Sequence, residues 1–399
     1  MLKDVLSIKA KRIKPSPTLK VASLAKEMLK SGIEVINFGV GEPDFNTPEN
    51  IKKEAHKAID ENFTRYTSTS GILELRNAIV NKYKVENDID YDIDQVLVSP
   101  GAKASIVFNL MSICNPGDEI LLAAPYWVSY PSQIELADGS PVLIQTNEED
   151  QFKIQPYMLE NAILKSRKPK AVILNSPNNP TGAVYTRDEL LRLANICIKY
   201  DLIIIADEIY EKLTYDNIQN VNIASLSEEI YNHTITINGV SKAYAMTGWR
   251  LGYSVGPKDI IKSATRIQGH TTSCVNTITQ KAAVKALAND SSIVKMRNEF
   301  EKRRNFLVDK LNNIDNVSCN MPKGAFYVMP NVSYYLENNE RGIDSTAKLC
   351  EYLLRDFHID IVPGSAFGME NFVRFSYANS MDNIKKGLNF FEKGLQSLI

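Results

Sequence analysis

Two stretches of this chain carry the residue types that chemistry on an amine or a carbonyl requires. The run Asn238-Gly-Val-Ser-Lys242-Ala-Tyr-Ala-Met-Thr-Gly-Trp-Arg250 sets a lysine among small and apolar residues. Desolvation in such a setting lowers an ammonium pKa and yields the neutral amine that Schiff-base chemistry uses. Arg250 is a second fixed cation, whose planar fork suits bidentate phosphate contact. Upstream, the apolar run Leu202 to Ala206 ends abruptly in Asp207-Glu208-Ile209-Tyr210. That puts a carboxylate at the C-terminal end of a strand, where α/β folds bind ligands. Taken singly, Asp207 could equally cap a following helix, and Tyr210 could be core. A third stretch, Val96 to Met111, reads as strand, tight turn and helix, so the N–H groups of Gly101, Ala102 and Lys103 fall at a helix N-terminus able to hold a phosphate. By itself it is also compatible with an ordinary turn and a solvated Lys103.

Other chemistries are poorly served. Gly39-Val-Gly41-Glu-Pro-Asp44 has Asp44 where the third glycine of a dinucleotide fingerprint belongs, and Pro43 spoils the helix start. No phosphate-binding G-x-x-x-x-G-K-[ST] occurs, and Gly239 to Ala243 fails the nucleophile-elbow pattern at its last position. The 5 cysteines form no C-x-x-C pair and the 4 histidines have no helical ligand spacing, so no metal is expected and a reducing compartment fits. With 46 Lys+Arg against 47 Asp+Glu there is no basic stripe for nucleic acid and no polybasic membrane anchor. Neither a signal-like apolar segment nor a spanning run is present, and the expectation is a soluble cytoplasmic protein.

The elements that must position these residues follow from hydrophobic patterning. Strand-like runs at Val96 to Gly101, Glu119 to Pro125, Ala171 to Pro177 and Leu202 to Glu208 alternate with helical stretches such as Pro48 to Glu61 and Thr186 to Tyr200. Thr186 with Glu189 reads as a capping box. The alternation predicts an α/β fold on a parallel sheet. From Ser291 to Asn313, Ile293, Met296, Phe300, Leu307 and Leu311 share one stripe of a long helix at a domain edge. Beyond it, short strands around Gly324 to Pro330 and Asn371 to Ala378 suggest a smaller α+β unit.

Taken together, Asn-Ser-Pro-Asn-Asn179-Pro-Thr-Gly182, Ala-Asp207-Glu-Ile-Tyr210, Ser-Lys242-Ala-Tyr-Ala-Met-Thr-Gly-Trp-Arg250 and Val-Arg374-Phe-Ser-Tyr resemble the fold-type I, class I pyridoxal-phosphate aminotransferases. The similarity runs from Lys14 to the C-terminus and is greatest toward the bacterial and thermophilic branch of aspartate aminotransferases. It implies a large domain with a mixed, mostly parallel seven-stranded sheet covered by helices, and a smaller α+β domain built from both chain ends. The expected division is 1–48 for an N-terminal arm and part of the small domain, 49–290 for the large cofactor-binding domain, and 291–399 for the connecting helix and small domain.

The resemblance also implies roles. Lys242 would hold pyridoxal 5'-phosphate as a covalent aldimine and then shuttle the substrate proton. Asp207 would pair with the pyridine nitrogen, and Tyr210 and Asn179 would bond the ring hydroxyl oxygen. Trp127 would stack on the ring, and Gly101, Ala102, Lys103 and Arg250 would hold the phosphate. Tyr66 would reach the phosphate of a neighbouring subunit, which makes a homodimer the functional unit. Arg374 would clamp the substrate α-carboxylate, helped by Asn179 and the backbone at Gly41, so that the Cα–H bond stands perpendicular to the ring and deprotonation is selected.

Many relatives have a serine where this chain has Gly239. Ser241 is the nearest hydroxyl, and its contact with phosphate is an open expectation. A dicarboxylic substrate needs a cation for its second carboxylate, and the resemblance implies that this role falls partly to Lys103, with Ser16 or Thr18 closing over it. That favours L-aspartate with 2-oxoglutarate. The same fold and cofactor acting on prephenate, aromatic or other neutral amino acids, or in β-elimination, remains the alternative. A non-catalytic cofactor-binding sensor is a further one, which the presence of Lys242, Asp207 and Arg374 together disfavours.

Overall fold

The computed structural model describes residues 5–13, 19–288 and 291–399. Lys14, Ser16 and Thr18 therefore lie outside the described residues. A two-residue strand, β1 (Ile36–Asn37), stands apart from the main sheet of β2 (Val96–Ser99), β3 (Glu119–Ala124), β4 (Ser140–Gln145), β5 (Pro169–Asn175), β6 (Ile203–Asp207), β7 (Thr234–Gly239) and β8 (Gly252–Val255). The order across the sheet is β2-β8-β7-β6-β5-β3-β4. Only β8 runs against its neighbours, so the sheet is mixed and mostly parallel.

Strands β3, β5 and β6 read as largely apolar runs because both of their faces are covered. Along β5, Ala171 and Ile173 join one buried cluster with Ile120, Ile205 and Ile237, while Val172 and Leu174 join another with Leu121, Ile204 and Ala206. Helix α1 (Ala102–Ile113) contributes Ile106 and Leu110 to the first face, and α2 (Arg187–Lys199) contributes Leu190 and Leu193 to the second. The α2 capping box forms as the spacing predicts: Glu189 N–H donates to Thr186 Oγ1 at 3.3 Å, and Thr186 N–H to Glu189 Oε2 at 2.7 Å.

Helix α3 (Ser291–Asn312) buries Ile293, Met296, Phe300, Leu307 and Leu311 as the stripe requires. It also buries Arg303 and Arg304, which the pattern did not single out. Arg303 Nη1 donates to both carboxylate oxygens of Asp44 at 2.8 and 2.9 Å, tying the Gly39–Asp44 segment to the helix. Past α3, β9 (Tyr327–Val328), α4 (Thr346–Phe357), β10 (Ile359–Asp360), β11 (Val362–Pro363) and β12 (Val373–Ser376) form a second packed unit. Its antiparallel sheet has the order β11-β12-β9, and β1 pairs with β10 in parallel. Ile36 and Phe38 therefore share a core with Phe300, Ile359, Phe375 and Phe391, far along the chain.

The strand read at Gly324 to Pro330 shrinks to two residues. Lys323 and Gly324 N–H groups donate instead to Gly182 O at 3.0 and 2.9 Å, and Ala325 takes a φ of 57°, which no strand accommodates. No helix follows Asp207 either. Its carboxylate closes a local turn by accepting from Ile209 N–H at 3.2 Å, so the capping alternative is set aside.

Candidate active site

The C-terminal ends of the parallel strands open onto a cavity of about 480 Å³, closed on the far side by Gly39 to Glu42, Tyr327, Phe367 and Arg374. This is the place an open α/β sheet provides for a ligand, because side chains leaving adjacent strand ends converge there. Asp207 and Asn175 are register partners at the ends of β6 and β5. Both are buried, and Asn175 Nδ2 donates to Asp207 O at 2.9 Å. The Asp207 carboxylate accepts from the Tyr130 hydroxyl at 2.6 Å. Burial raises its pKa, while the Tyr130 and Ile209 donors and the charge of Lys242 pull it back toward the ionised form.

Lys242 follows β7 and enters the same cavity. Its Nζ donates to Gly41 O at 2.5 Å and lies 5.8 Å from the ring centres of Tyr210 and Phe326. Burial is the main reason its pKa falls to about 8; Arg374 and Arg250 lower it further, against Glu42 and Asp207. The sequence setting of small and apolar neighbours thus does desolvate this amine. Tyr210 is buried, its hydroxyl 2.9 Å from that of Tyr327.

The β2-to-α1 turn is shaped around Arg250. Gly101 has a φ of +84°, and a Cβ there would stand 2.5 Å from Arg250 Nη2, so glycine is required both for the turn and for the approach of the guanidinium. Arg250 is itself anchored through Nη1 to Thr247 O at 2.8 Å. Ala102 and Lys103 begin α1 and line the cavity. Lys103 Nζ lies 5.0 Å over the Trp127 ring, and burial together with Arg250 lowers its pKa.

On the opposite wall Arg374 is buried, stacked at 4.5 Å on Tyr327 and 5.0 Å on Phe367. Its Nη1 donates to Asn179 Oδ1 at 3.2 Å and its Nη2 to Gly39 O at 2.6 Å. Both acceptors are neutral, and Nε has no partner among the described residues. A guanidinium so placed leaves its charge available to an anion in the cavity.

Of the residues expected from the sequence, Gly41, Ala102, Lys103, Trp127, Asn179, Asp207, Tyr210, Ser241, Lys242, Arg250 and Arg374 line this one cavity, and Gly101 borders it. Tyr66 does not; it is 90% exposed on the single chain. The backbone acceptor on Arg374 is Gly39, whereas Gly41 meets Lys242. Serine at position 239 has no room, since a Cβ would stand 2.9 Å from Gly252 Cα and Leu251 O. Tyr130, Asn175, Tyr327 and Glu42 were not assigned roles from the sequence. Tyr130 lies inside the aromatic run Pro125 to Pro131 and Asn175 at a strand end like that of Asp207, signals by which the sequence could have singled them out. Glu42 accepts from Thr247 Oγ1 at 2.8 Å at the rim.

A desolvated lysine, a strand-end carboxylate, a helix N-terminus backed by arginine and a flat indole face are what pyridoxal phosphate needs: an amine for its aldehyde, an anion for its ring nitrogen, and an anion cradle for its phosphate. Gly101, without a Cβ to fill that cradle, fits the group as well. The class so defined is the fold-type I transaminases. A family model described as aminotransferase class I and II matches residues 33–391, and the chain belongs to that family: it is a pyridoxal-phosphate-dependent aminotransferase. It is 43% identical to the aspartate aminotransferase of Bacillus subtilis over 95% of this chain and 96% of that one. It is 40% identical to a probable aspartate/prephenate aminotransferase of Aquifex aeolicus, over 98% and 99% of the two chains. Its structure matches that of the aspartate aminotransferase from Rhizobium meliloti with a TM-score of 0.95 at 37% identity, covering 99% of both chains.

Proposed function

We propose that the enzyme exchanges amino groups between L-aspartate and 2-oxoglutarate, giving oxaloacetate and L-glutamate. The observation that carries this reading is the Arg374 guanidinium, which has no direct ion-pair partner among the described residues, in the same cavity as a second, exposed cation at Lys103. A dicarboxylic amino acid needs two cations, one for each carboxylate, and Arg250 is left for the cofactor phosphate. The aspartate aminotransferases among the relatives support the same choice.

Bound pyridoxal phosphate supplies an aldehyde that condenses with amines and a protonated ring that draws electrons from Cα. Lys242 would hold it covalently, and its Nζ, when free, would be the base placed to take the proton from substrate Cα. A pKa lowered to about 8 leaves a useful neutral fraction of that amine near neutrality. Asp207, whose burial is opposed by the Tyr130 and Ile209 donors, would pair with the ring nitrogen and hold its proton. Asn179 and Tyr210 would hydrogen-bond the ring hydroxyl oxygen, Trp127 would offer its indole face to the ring, and the backbone N–H groups of Gly101, Ala102 and Lys103 with Ser241 and Arg250 would hold the phosphate. Arg374 and Asn179, with the Gly41 backbone, orient the α-carboxylate so that the Cα–H bond faces Lys242.

In this reading the chain divides into an arm and part of the small domain at 1–48, a large domain at 49–290, and the long helix and small domain at 291–399. The functional unit is a cytoplasmic homodimer, in which exposed Tyr66 reaches the phosphate site of the neighbouring subunit. Among the described residues no helix is long and apolar enough to cross a membrane. The test is the absorbance of the purified holoenzyme as single amino donors are added. Rapid conversion of the cofactor band by aspartate and glutamate supports the reading. Conversion by phenylalanine, or by prephenate plus a donor, with no response to aspartate moves the substrate class. The Aquifex relative's name, which pairs prephenate with aspartate, favours prephenate as a further substrate beside aspartate.

A further inference from the structure

A buried carboxylate that the reaction chemistry above does not use lies behind the α-carboxylate site. Asp360 ends β10 and is 5% exposed. Its backbone is fixed by pairing with β1, and its carbonyl accepts from Phe38 N–H at 2.7 Å. Its side chain packs on Gly39, where an added Cβ would stand 3.2 Å from both carboxylate oxygens. The carbonyl of that same glycine accepts from Arg374 Nη2 at 2.6 Å. A single glycine therefore separates the carboxylate from the guanidinium, and no direct ion pair joins them among the described residues.

Two charges this close in a dry setting must feel each other. Burial pushes the Asp360 carboxyl up to about 6, and Arg374 is the charge that opposes the rise. Helices Leu19–Lys30, α4 and Met381–Gln396 also pack against β10. From these elements and β12, Arg374 and the Cys350 thiol of α4 are the titratable groups that act on Asp360 among the described residues. The thiol is pushed well up by burial and stays neutral, which leaves Arg374 as the charge that Asp360 addresses.

We propose that Asp360 is an affinity-tuning counter-charge behind Arg374: ionised, it weakens the site's hold on a substrate carboxylate, and protonated, it leaves the full charge of Arg374 to the ligand. The inference rests on reading Arg374 as the α-carboxylate clamp. By linkage, a bound carboxylate raises the Asp360 pKa in return. Substrate and product acids are thus held less tightly at neutral pH than in mild acid.

Maleate, a dicarboxylate without an amine, is the probe, and its inhibition constant is read on the holoenzyme from about pH 5 to about pH 8 for wild type, Asp360→Asn and Asp360→Ala. Both variants should bind maleate about three- to tenfold more tightly than wild type at the alkaline end and equally at the acid end, with KM following and kcat unchanged. A ratio of variant to wild type that does not change with pH overturns the proposal. Failure of both variants to fold also overturns it, by assigning the carboxylate to structure. Arg374→Ala separates the two readings. If maleate binds that variant as it binds wild type, the clamp reading fails; if binding is lost there while the Asp360 ratio is flat, the Asp360 proposal alone fails.

Discussion

The Tyr130 hydroxyl donates to Asp207 Oδ2 at 2.6 Å, both groups buried, so the side chain that hydrogen-bonds the strand-end carboxylate is a phenol. Removing that donor leaves a buried carboxylate short of a partner, which shifts it toward its neutral form. Tyr130→Phe should weaken cofactor binding and lower kcat/KM for aspartate about tenfold. Titration of the apoenzyme with pyridoxal phosphate, beside steady-state kinetics, measures both. Unchanged cofactor affinity would remove Tyr130 from this role.

Arg374 acts through a planar fork fixed by Asn179, Gly39 and two aromatic faces. Lysine keeps the charge but loses the fork and the stacking. Arg374→Lys should raise KM for both amino acid and oxo acid by about 10–100-fold, with a smaller change in kcat. A rise confined to one of the two substrates would contradict a site shared by both half-reactions.

Lys103 is the specificity cation in the proposed reaction. Lys103→Ala should lower kcat/KM for aspartate about 10- to 100-fold and that for phenylalanine by less than about threefold. Parallel kinetics on the two donors decide it. Equal losses would assign Lys103 to the phosphate alone.

The neutral form of Lys242 is the one that attacks an aldehyde. Since its pKa is lowered to about 8, the amine gains reactivity as pH rises through that value and is fully neutral beyond it. The rate at which apoenzyme takes up pyridoxal phosphate should climb between about pH 7 and pH 9 and then level off. Stopped-flow absorbance follows this directly. A climb centred near the ordinary lysine range would mean that the amine is not desolvated.

Local signals carried much of this molecule. The capping box at Thr186 and Glu189, the apolar stripe of α3 and the abrupt end of β6 at Asp207 depend on neighbours within a few residues, and all three form where their spacing puts them. The strand at Gly324 to Pro330 was misjudged because its backbone groups are taken by Gly182, a partner that no local pattern names. The buried arginines of α3 were missed for a similar reason, since Asp44 and Asp216 come to them from elsewhere.

The sequence by itself determined the chemistry on offer, because a lysine among small residues, an acid ending an apolar strand and a glycine before a helix have properties set by composition and short spacing. Tertiary structure decided what that chemistry faces. Pairing of β1 with β10 brings Gly39 and Gly41 onto Arg374 and Lys242, across more than half the chain, and sets Asp360 behind them. Such contacts depend on how distant segments pack, and the physical reason they escape the sequence is that a buried charge takes its strength from neighbours that only folding supplies.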